Sequence, residues 1–273
     1  MKRKDFLKAA SPLFLLLANG NIVKAGNELE SFLGKKRRLR FAIASDLHYG
    51  QEKTDYDNFL KTIIAKINAA HAVQPFDFCM LNGDIVHNDP KHYPAAKALI
   101  EQLKMKWYVT PGNHDLVTAD QWMQIWNSPV NYTFSVRDTV FLAATTSDEK
   151  GKYICPNLSW MRQQLEQHQH AKNIFIIIHI NPAKLTENAV DCPEFLELVK
   201  QHQNVRAIFN GHDHDQDSIL KRDGIPFVFD AHVGGNWGTE YKGFRIVELL
   251  DNNDVLTYIM NPDVKINSAT LQA

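Results

Sequence analysis

The run Leu39–His48 reads LRFAIASDLH: a short apolar stretch of strand length that ends in an Asp-x-His step. The arrangement recurs along the chain. FDFCML (Phe76–Leu81) leads through Asn82 and Gly83 to Asp84, and KWYVT (Lys106–Thr110) leads through Pro111 and Gly112 to Asn113, His114 and Asp115. NIFIII (Asn173–Ile178) is followed directly by His179, and VRAIF (Val205–Phe209) leads through Asn210 and Gly211 to His212, Asp213 and His214. Each run is rich in β-branched or aromatic residues, as strands are. In open α/β sheets, sites form beyond the carboxyl ends of the strands. If these strands are roughly parallel neighbours, all of these groups meet at one edge.

Helical patterns lie between the runs, over Tyr56–His71, Ala95–Leu103, Ser159–His168 and Pro193–His202. Strand–helix alternation predicts an α/β fold with substantial parallel pairing. Hairpins are predicted in YTFSVRDTVFLAATT (Tyr132–Thr146), and about Asp223-Gly224 and Asn252-Asn253, so the sheets should be mixed. A chain of 273 residues with 44% hydrophobic residues is large enough for a sizeable core. A net charge of −1 gives no electrostatic case for nucleic acid or anionic lipid as the main partner.

The amino terminus has a basic start, an apolar segment from Ala9 to Ala18 and a Val-x-Ala step ending at Ala25. Residues 1–25 therefore have the outline of a signal peptide, and the expectation is export to a periplasmic or extracellular location. The alternative is an amphipathic leader on a cytoplasmic protein. The apolar segment is far too short to span a bilayer as a helix, and nothing else suggests a transmembrane helix. Residues 26–38 are expected as a linker, with the catalytic domain over 39–262 and a tail over 263–273, and the basic run at Lys35–Arg40 is expected to be solvated linker before the first strand. Of the three cysteines, Cys79 lies in an apolar run and is expected as a buried thiol. Whether Cys155 and Cys192 pair is left open.

Taken singly, each polar strand end has a plainer explanation, because Asp, Asn and His after a glycine are common turn residues. Repeated placement at the same strand end, with almost no cysteine, is not something turn propensity supplies. Gly83, Gly112 and Gly211 stand immediately before Asp84, Asn113 and His212, where converging ligands need crowded turns. The candidate ligand set is Asp46, His48, Asp84, Asn113, His179, His212 and His214. Oxygen and imidazole donors without thiolate suit zinc, manganese or iron. Seven donors are too many for one tetrahedral ion and suit two ions sharing a bridging group. Two divalent ions about 3.5–4 Å apart repel by on the order of 17–19 kcal/mol at an effective dielectric of about 20. A bridging carboxylate, for which Asp84 is the candidate, and a bound hydroxide offset that repulsion. The hydroxide is then the nucleophile for in-line attack on a phosphate ester, and His114 is the candidate general acid for the leaving alkoxide.

In their order along the chain, SDLH (Ser45–His48), NGDIV (Asn82–Val86), PGNHD (Pro111–Asp115), IHINP (Ile178–Pro182) and NGHDH (Asn210–His214) resemble the calcineurin-like metallophosphoesterase superfamily. Its pattern is D-x-H, G-D, G-N-H-D/E, H and G-H-x-H. The resemblance covers roughly residues 39 to 250, and exported or cyclic-nucleotide-phosphodiesterase-like members are the closest in kind. It implies a four-layer αββα sandwich of two mixed sheets with the site at the sheet edges. It also implies that Asp46, His48 and His214 hold one metal, that Asn113, His179 and His212 hold the other, and that Asp84 bridges. A phosphodiesterase acting on a small phosphate ester is the leading expectation; the alternatives are a phosphomonoesterase of the same family and a non-catalytic scaffold.

One departure from the family matters. Protein phosphatases of the superfamily continue G-D-x-V-D-R-G, whereas this chain reads GDIVHNDP (Gly83–Pro90), which argues against a protein serine/threonine phosphatase. His87 stands where those enzymes carry the Asp that orients the catalytic histidine. It is left open as an extra ligand, a partner of His114 or a surface residue, and Asp115 is the candidate substitute. The loop HVGGNWGTEYKG (His232–Gly243) is either a connector or a substrate-facing loop that presents Trp237. His212 and His214, two residues apart on an extended chain, are expected to point the same way about 6–7 Å apart. The family resemblance implies that each reaches a different ion, with Asp213 pointing away.

Overall fold

The computed structural model describes residues 35–261 throughout and, beyond them, the strands β1 (Phe14–Leu16), β2 (Ile22–Lys24) and β14 (Lys265–Leu271). Most of the expected signal and linker, residues 1–34, otherwise lies outside the described residues. β1 and β2 pair antiparallel.

The first large sheet contains β3 (Arg37–Ala44), β4 (Phe78–Asn82), β5 (Trp107–Thr110), β12 (Phe244–Leu250), β13 (Val255–Met260) and β14, in the order β14-β13-β12-β3-β4-β5. β3, β4 and β5 run parallel, and β12, β13 and β14 are added antiparallel. The second sheet has the order β10-β11-β9-β8-β7-β6. It is built from β6 (Tyr132–Val136), β7 (Thr139–Ala144), β8 (Asn173–Ile178), β9 (Val205–Asn210), β10 (Ile219–Arg222) and β11 (Ile225–Phe229). Here β7, β8, β9 and β11 are parallel, and β6 and β10 are hairpin partners at the two edges. The three expected hairpins are present. The β10–β11 turn has both Asp223 and Gly224 at positive φ (54° and 82°), which a two-residue hairpin turn with the twist of its strands requires.

Strand alternation distributes the core. On β3, Phe41 and Ile43 face the second sheet and, together with Phe78 of the neighbouring β4, meet its Phe141, Phe175 and Phe209. Ala42 and Ala44 face the other way, under helices α1 (Tyr56–Val73), α2 (Tyr93–Ile100) and α3 (Ala119–Trp126). Trp122 and Trp126 are buried in that same layer, so they are packing residues. The outer face of the second sheet is covered by α4 (Leu158–Gln167) and α5 (Pro193–Lys200) through Met161, Leu165, Phe195 and Leu198. The layers are therefore helix, sheet, sheet, helix, as expected. In the layer between the sheets the Phe41 and Phe78 rings of the first sheet stack at 4.8 Å, and Phe141 and Phe209 of the second meet Phe41 edge-on at 5.3 and 5.8 Å. Each such buried ring contributes roughly 1.5–3 kcal/mol by removal from water, so the two sheets are held as one body.

Two sequence expectations need correction. The basic run at Lys35–Arg40 is not a solvated linker, because β3 begins at Arg37 and Arg40 is buried. The Arg40 guanidinium lies 4.0 Å over the Phe76 ring, with its Nε 3.2 Å from the Glu248 carboxylate. Nor is 263–273 a free tail, since β14 pairs antiparallel with β13 within it. Cys155 and Cys192 form a disulfide, which the sequence left open, and Cys79 is a buried free thiol, as expected. Among the described residues no helix is long and apolar enough to cross a membrane.

Candidate metal centre

Strands β3, β4, β5, β8 and β9 all end at one edge, and the turns that follow them are tied to each other across the two sheets. The Asp46 amide donates to the Gly83 carbonyl (3.1 Å), and the Gly211 amide donates to the His179 carbonyl (3.0 Å). The His212 amide reaches across to both oxygens of the Asp46 carboxylate (3.1 and 3.0 Å). Four of the candidate ligands, Asp46, His48, Asp84 and His212, hold positive φ between 42° and 68°. Left-handed backbone in non-glycine residues costs on the order of 1–3 kcal/mol each, so the fold maintains this edge against local preference. The glycines permit the crowding: a Cβ on Gly112 would stand 2.2 Å from Asp84 Oδ1, and one on Gly211 would stand 1.9 Å from Ser45 Oγ.

Six of the seven expected ligands fall into two groups at this edge, and the seventh, Asn113, is buried in the turn after β5. Asp46, His48 and His214 place ligand atoms within 4.8 Å of one another, and so do Asp84, His179 and His212. In the first group, His48 Nε2 is 3.1 Å from His214 Nε2, and His214 Nε2 is 3.2 Å from Asp46 Oδ1. The His48 to Asp46 distance is wider, 4.0 Å. In the second, His179 Nε2 is 3.2 Å from Asp84 Oδ2. Donors bound at about 2.0–2.2 Å to one ion stand roughly 3–3.5 Å from each other, so these separations fit shared ions. The same Asp84 Oδ2 is 3.6 Å from His48 Nε2 and thus lies next to both groups.

The donor chemistry passes an independent test. His179 Nδ1 is 2.7 Å from the Asn82 carbonyl, so Nδ1 carries a hydrogen and Nε2 is the atom left for a metal once its own proton is displaced. That buried Nε2 has no hydrogen-bond partner, and neither do the buried His212 Nε2 and Asn113 Oδ1. Buried polar atoms without partners are uncommon in folded proteins, and a bound cation would satisfy those of His179 and His212, which belong to one group. The electrostatics agree. Burial alone would raise the Asp46 and Asp84 carboxyls, but the histidines around them, His179 first, hold both well below the usual carboxylate range. Burial opposes a charge on His179, yet the Asp84 and Asp46 carboxylates lift it to about 10. Burial pushes His212 down to about 4 and His48 well below its usual range. Two buried carboxylates thus demand positive charge, and neutral imidazoles stand ready to ligate it. The residues fit two cations.

His114 and His87 stand beside the first group. Their rings stack at 4.8 Å with 13° between planes, and His87 Nδ1 lies 3.0 Å from His48 Nδ1. His87 therefore contacts the candidate ligand His48 and the His114 ring, and His48, His87 and His114 also place ligand atoms within 4.8 Å of one another, so a place among the ligands stays open for His87. Asp115 is not the partner of His114. Its carboxylate is turned inward and accepts from the amides of Gly112 (2.7 Å), Ile85 (2.9 Å) and Val86 (3.2 Å) and from the Tyr93 hydroxyl (3.0 Å). Burial and the Asp84 charge push it up to about 7. The His114 Nδ1 instead meets Asn88 Oδ1 at 2.8 Å. Sequence reasoning missed Asn88, whose place before Asp89-Pro90 signals only a turn. It also missed Ser45, which bonds Asp46 Oδ2 at 2.6 Å and lies 2.8 Å from the Asn82 carbonyl.

The His232–Gly243 loop borders the site. Trp237 stacks flat on His214 (4.4 Å, 8°) and remains 41% exposed, and His232 stacks on the other side of His214 at 4.4 Å. The expected division of His212 and His214 between two groups is observed, but strand alternation does not produce it. β9 ends at Asn210, and His212 is in a left-handed turn. Asp213 points away, as expected, and is buried against the Thr186 hydroxyl (2.9 Å) and Asn188.

The sequence matches the calcineurin-like phosphoesterase family over residues 39–216. It is 28% identical over 204 residues to a protein of Coxiella burnetii named as a probable cyclic nucleotide phosphodiesterase, covering 67% of this chain and 79% of that protein. It is 24% identical over 240 residues to a serine/threonine-protein phosphatase of Danio rerio, covering 75% of each. The fold superposes on the crystal structure of a dimetal phosphatase from Danio rerio with a TM-score of 0.69 at 12% identity, over 87% of this chain and 99% of that one. The matched segment spans every candidate ligand found at the sheet edge, from Asp46 to His214, and by that match the chain belongs to the calcineurin-like phosphoesterase family.

Proposed function

We propose that this protein is a dinuclear metal-dependent phosphodiesterase acting on a small phosphate ester. Asp46, His48 and His214 would hold one ion, Asn113, His179 and His212 the other, and Asp84 would bridge. The observation that carries this reading is the position of Asp84 Oδ2 beside both histidine groups, 3.6 Å from His48 Nε2 and 3.2 Å from His179 Nε2. The donor set suits manganese, iron or zinc. When bound, such ions polarise phosphoryl oxygens and make a water-derived nucleophile available near neutral pH.

The chain's own residues do the rest. Asp46 and Asp84 leave the loaded centre with net positive charge for a phosphodiester monoanion. His114, held beside His48 (ring centroids 4.9 Å apart), donates a proton to the departing alkoxide. Trp237 covers the His214 side and offers an exposed ring to the alcohol portion of the ester. Likeness to proteins named as probable cyclic nucleotide phosphodiesterases supports a diester. Likeness to proteins named as phosphatases supports a second reading, a phosphomonoesterase.

The two readings separate on bis-p-nitrophenyl phosphate against p-nitrophenyl phosphate, with manganese, zinc and iron supplied in turn. A higher kcat/KM on the bis ester that is lost on chelation is expected. A fully metal-loaded protein inactive on both esters would refute the enzyme reading. We further infer an oxidising compartment, supported by the Cys155–Cys192 disulfide and by the basic, apolar and small-residue order of residues 1–25. Alkylation of free thiols in separated cell fractions tests it, and a reduced pair in the cytoplasmic fraction would overturn it.

A further inference from the structure

We propose that Asn88 is the positioning residue for His114: a neutral amide that fixes the ring of the general acid where protein phosphatases of the family use a carboxylate. The assignment rests on the His114 role proposed above. Asn88 grips His114 at two points. Its backbone N–H donates to the His114 carbonyl (2.9 Å), and its side-chain oxygen meets His114 Nδ1 at 2.8 Å. An amide oxygen only accepts, so the hydrogen in that contact belongs to Nδ1. The free nitrogen of the ring is then Nε2, which exchanges the proton with the leaving group.

The neighbouring groups leave His114 no other side-chain partner of this kind. Asp115, next in sequence, is fully engaged with backbone amides and Tyr93. His87, next to Asn88, contributes its ring face to the His114 ring and its Nδ1 to His48. The segment is also built for the role. Asn88 has φ 62°, a conformation that asparagine adopts more readily than most residues, and this turn brings its side chain back toward His114. Asp89 then caps the short helical turn Pro90–His92 by accepting from the Lys91 amide (3.0 Å), which anchors the far end of the segment. The adjacent pair His87-Asn88 therefore holds one candidate metal ligand and the general acid together. The side chain that orients the acid is displaced by one residue from the position where the family's carboxylate stands.

The test uses Asn88→Gly, which tolerates the positive φ while removing the acceptor, and Asn88→Asp, which restores an acceptor. Two diesters are compared in the metal-loaded enzyme, one with a p-nitrophenolate leaving group and one with an alkyl leaving group that needs protonation. General acid catalysis is worth about 10²–10⁴-fold. Losing the ring's orientation is therefore expected to lower kcat on the alkyl ester by on the order of 10–100-fold more than on the nitrophenyl ester, with Asn88→Asp recovering most of the difference. Independently of activity, ¹⁵N NMR of the histidine rings in the metal-free protein should show His114 with its hydrogen on Nδ1, and loss of that preference in Asn88→Gly. Equal losses on both esters, no recovery in Asn88→Asp, or an unchanged His114 ring in Asn88→Gly would each overturn the assignment. A parent protein inactive on both esters would instead refute the functional reading, while the NMR result would still decide whether Asn88 sets the ring.

Discussion

Gly211→Ala puts the crowding at the sheet edge to a quantitative test. A Cβ at this position would stand 1.9 Å from Ser45 Oγ, 2.7 Å from Asp46 Oδ2 and 3.0 Å from His179 Nδ1. Non-bonded heavy atoms prefer about 3.5–4.0 Å, so the overlap with the Ser45 hydroxyl exceeds an ångström. That hydroxyl cannot move aside at low cost, because it is buried, bonds Asp46 Oδ2 at 2.6 Å and lies 2.8 Å from the Asn82 carbonyl. Overpacking costs about 1–3 kcal/mol, and a buried polar group stripped of its partner costs about 1–3 kcal/mol more. Together these give about 2–6 kcal/mol, or a fall in Tm of roughly 5–20 °C at this chain length. Asp46 should be pushed out of register with His48 and His214, so metal affinity should fall along with stability. Thermal unfolding of the metal-free protein and metal counting after dialysis would measure both. Adding Ser45→Gly should recover part of the loss by removing the nearest clash. A Gly211→Ala protein that melts within about 1 °C of the parent and keeps its full metal content would refute the reasoning.

Three other outcomes are expected. His212→Ala and His214→Ala should each leave about one ion per chain, lost from different groups; loss of both ions in both variants, counted by plasma emission after dialysis, would contradict the division. His179, lifted to about 10 by Asp84 and Asp46, carries a proton in the metal-free protein at neutral pH that an arriving cation must displace. Metal binding should therefore release a proton and tighten by up to about tenfold for each unit by which the pH rises toward 10, weakening as the pH falls, and calorimetry in buffers of different ionisation enthalpy would expose the idea if no proton appeared. Replacing Cys155 and Cys192 by serine opens a link between positions 37 residues apart, which loop-entropy arguments value at about 3–4 kcal/mol; urea unfolding with an unchanged midpoint would show that the link does not stabilise the fold.

The architecture was legible because the signals that specify it are local. The short apolar run of β3, buried on both faces, turn pairs such as Asp223-Gly224 and helical spacing between apolar runs are each contained in a few residues. The candidate ligands were legible for a related reason: metal chemistry admits few side-chain types, and they recur after successive strands. Arg40 was misassigned because a basic run has the composition of a linker. What buries its charge is Glu248, more than 200 residues away in sequence. Its stem packs on Phe76, and no local window contains both contacts.

The groups that tune the site were hidden for the same physical reason, in sharper form. Asn88, Asp115 and Ser45 are ordinary turn residues in isolation, and their roles exist only once separate turns meet. Asp115 shows how adjacency misleads. It follows His114 in the chain, yet its carboxylate turns away to bind the amides of Ile85, Val86 and Gly112, so it secures the two turns that carry Asp84 and Asn113. His212 and His214 reached the expected partition by a different route from the one their spacing suggested. On a continuing strand both rings would lie on one face. The left-handed backbone at His212 (φ 68°) replaces that alternation with a turn, and its amide is spent on Asp46, a candidate ligand of the opposite group. One residue thus places its ring in one candidate group and orients a carboxylate of the other, which couples the two groups through a single peptide.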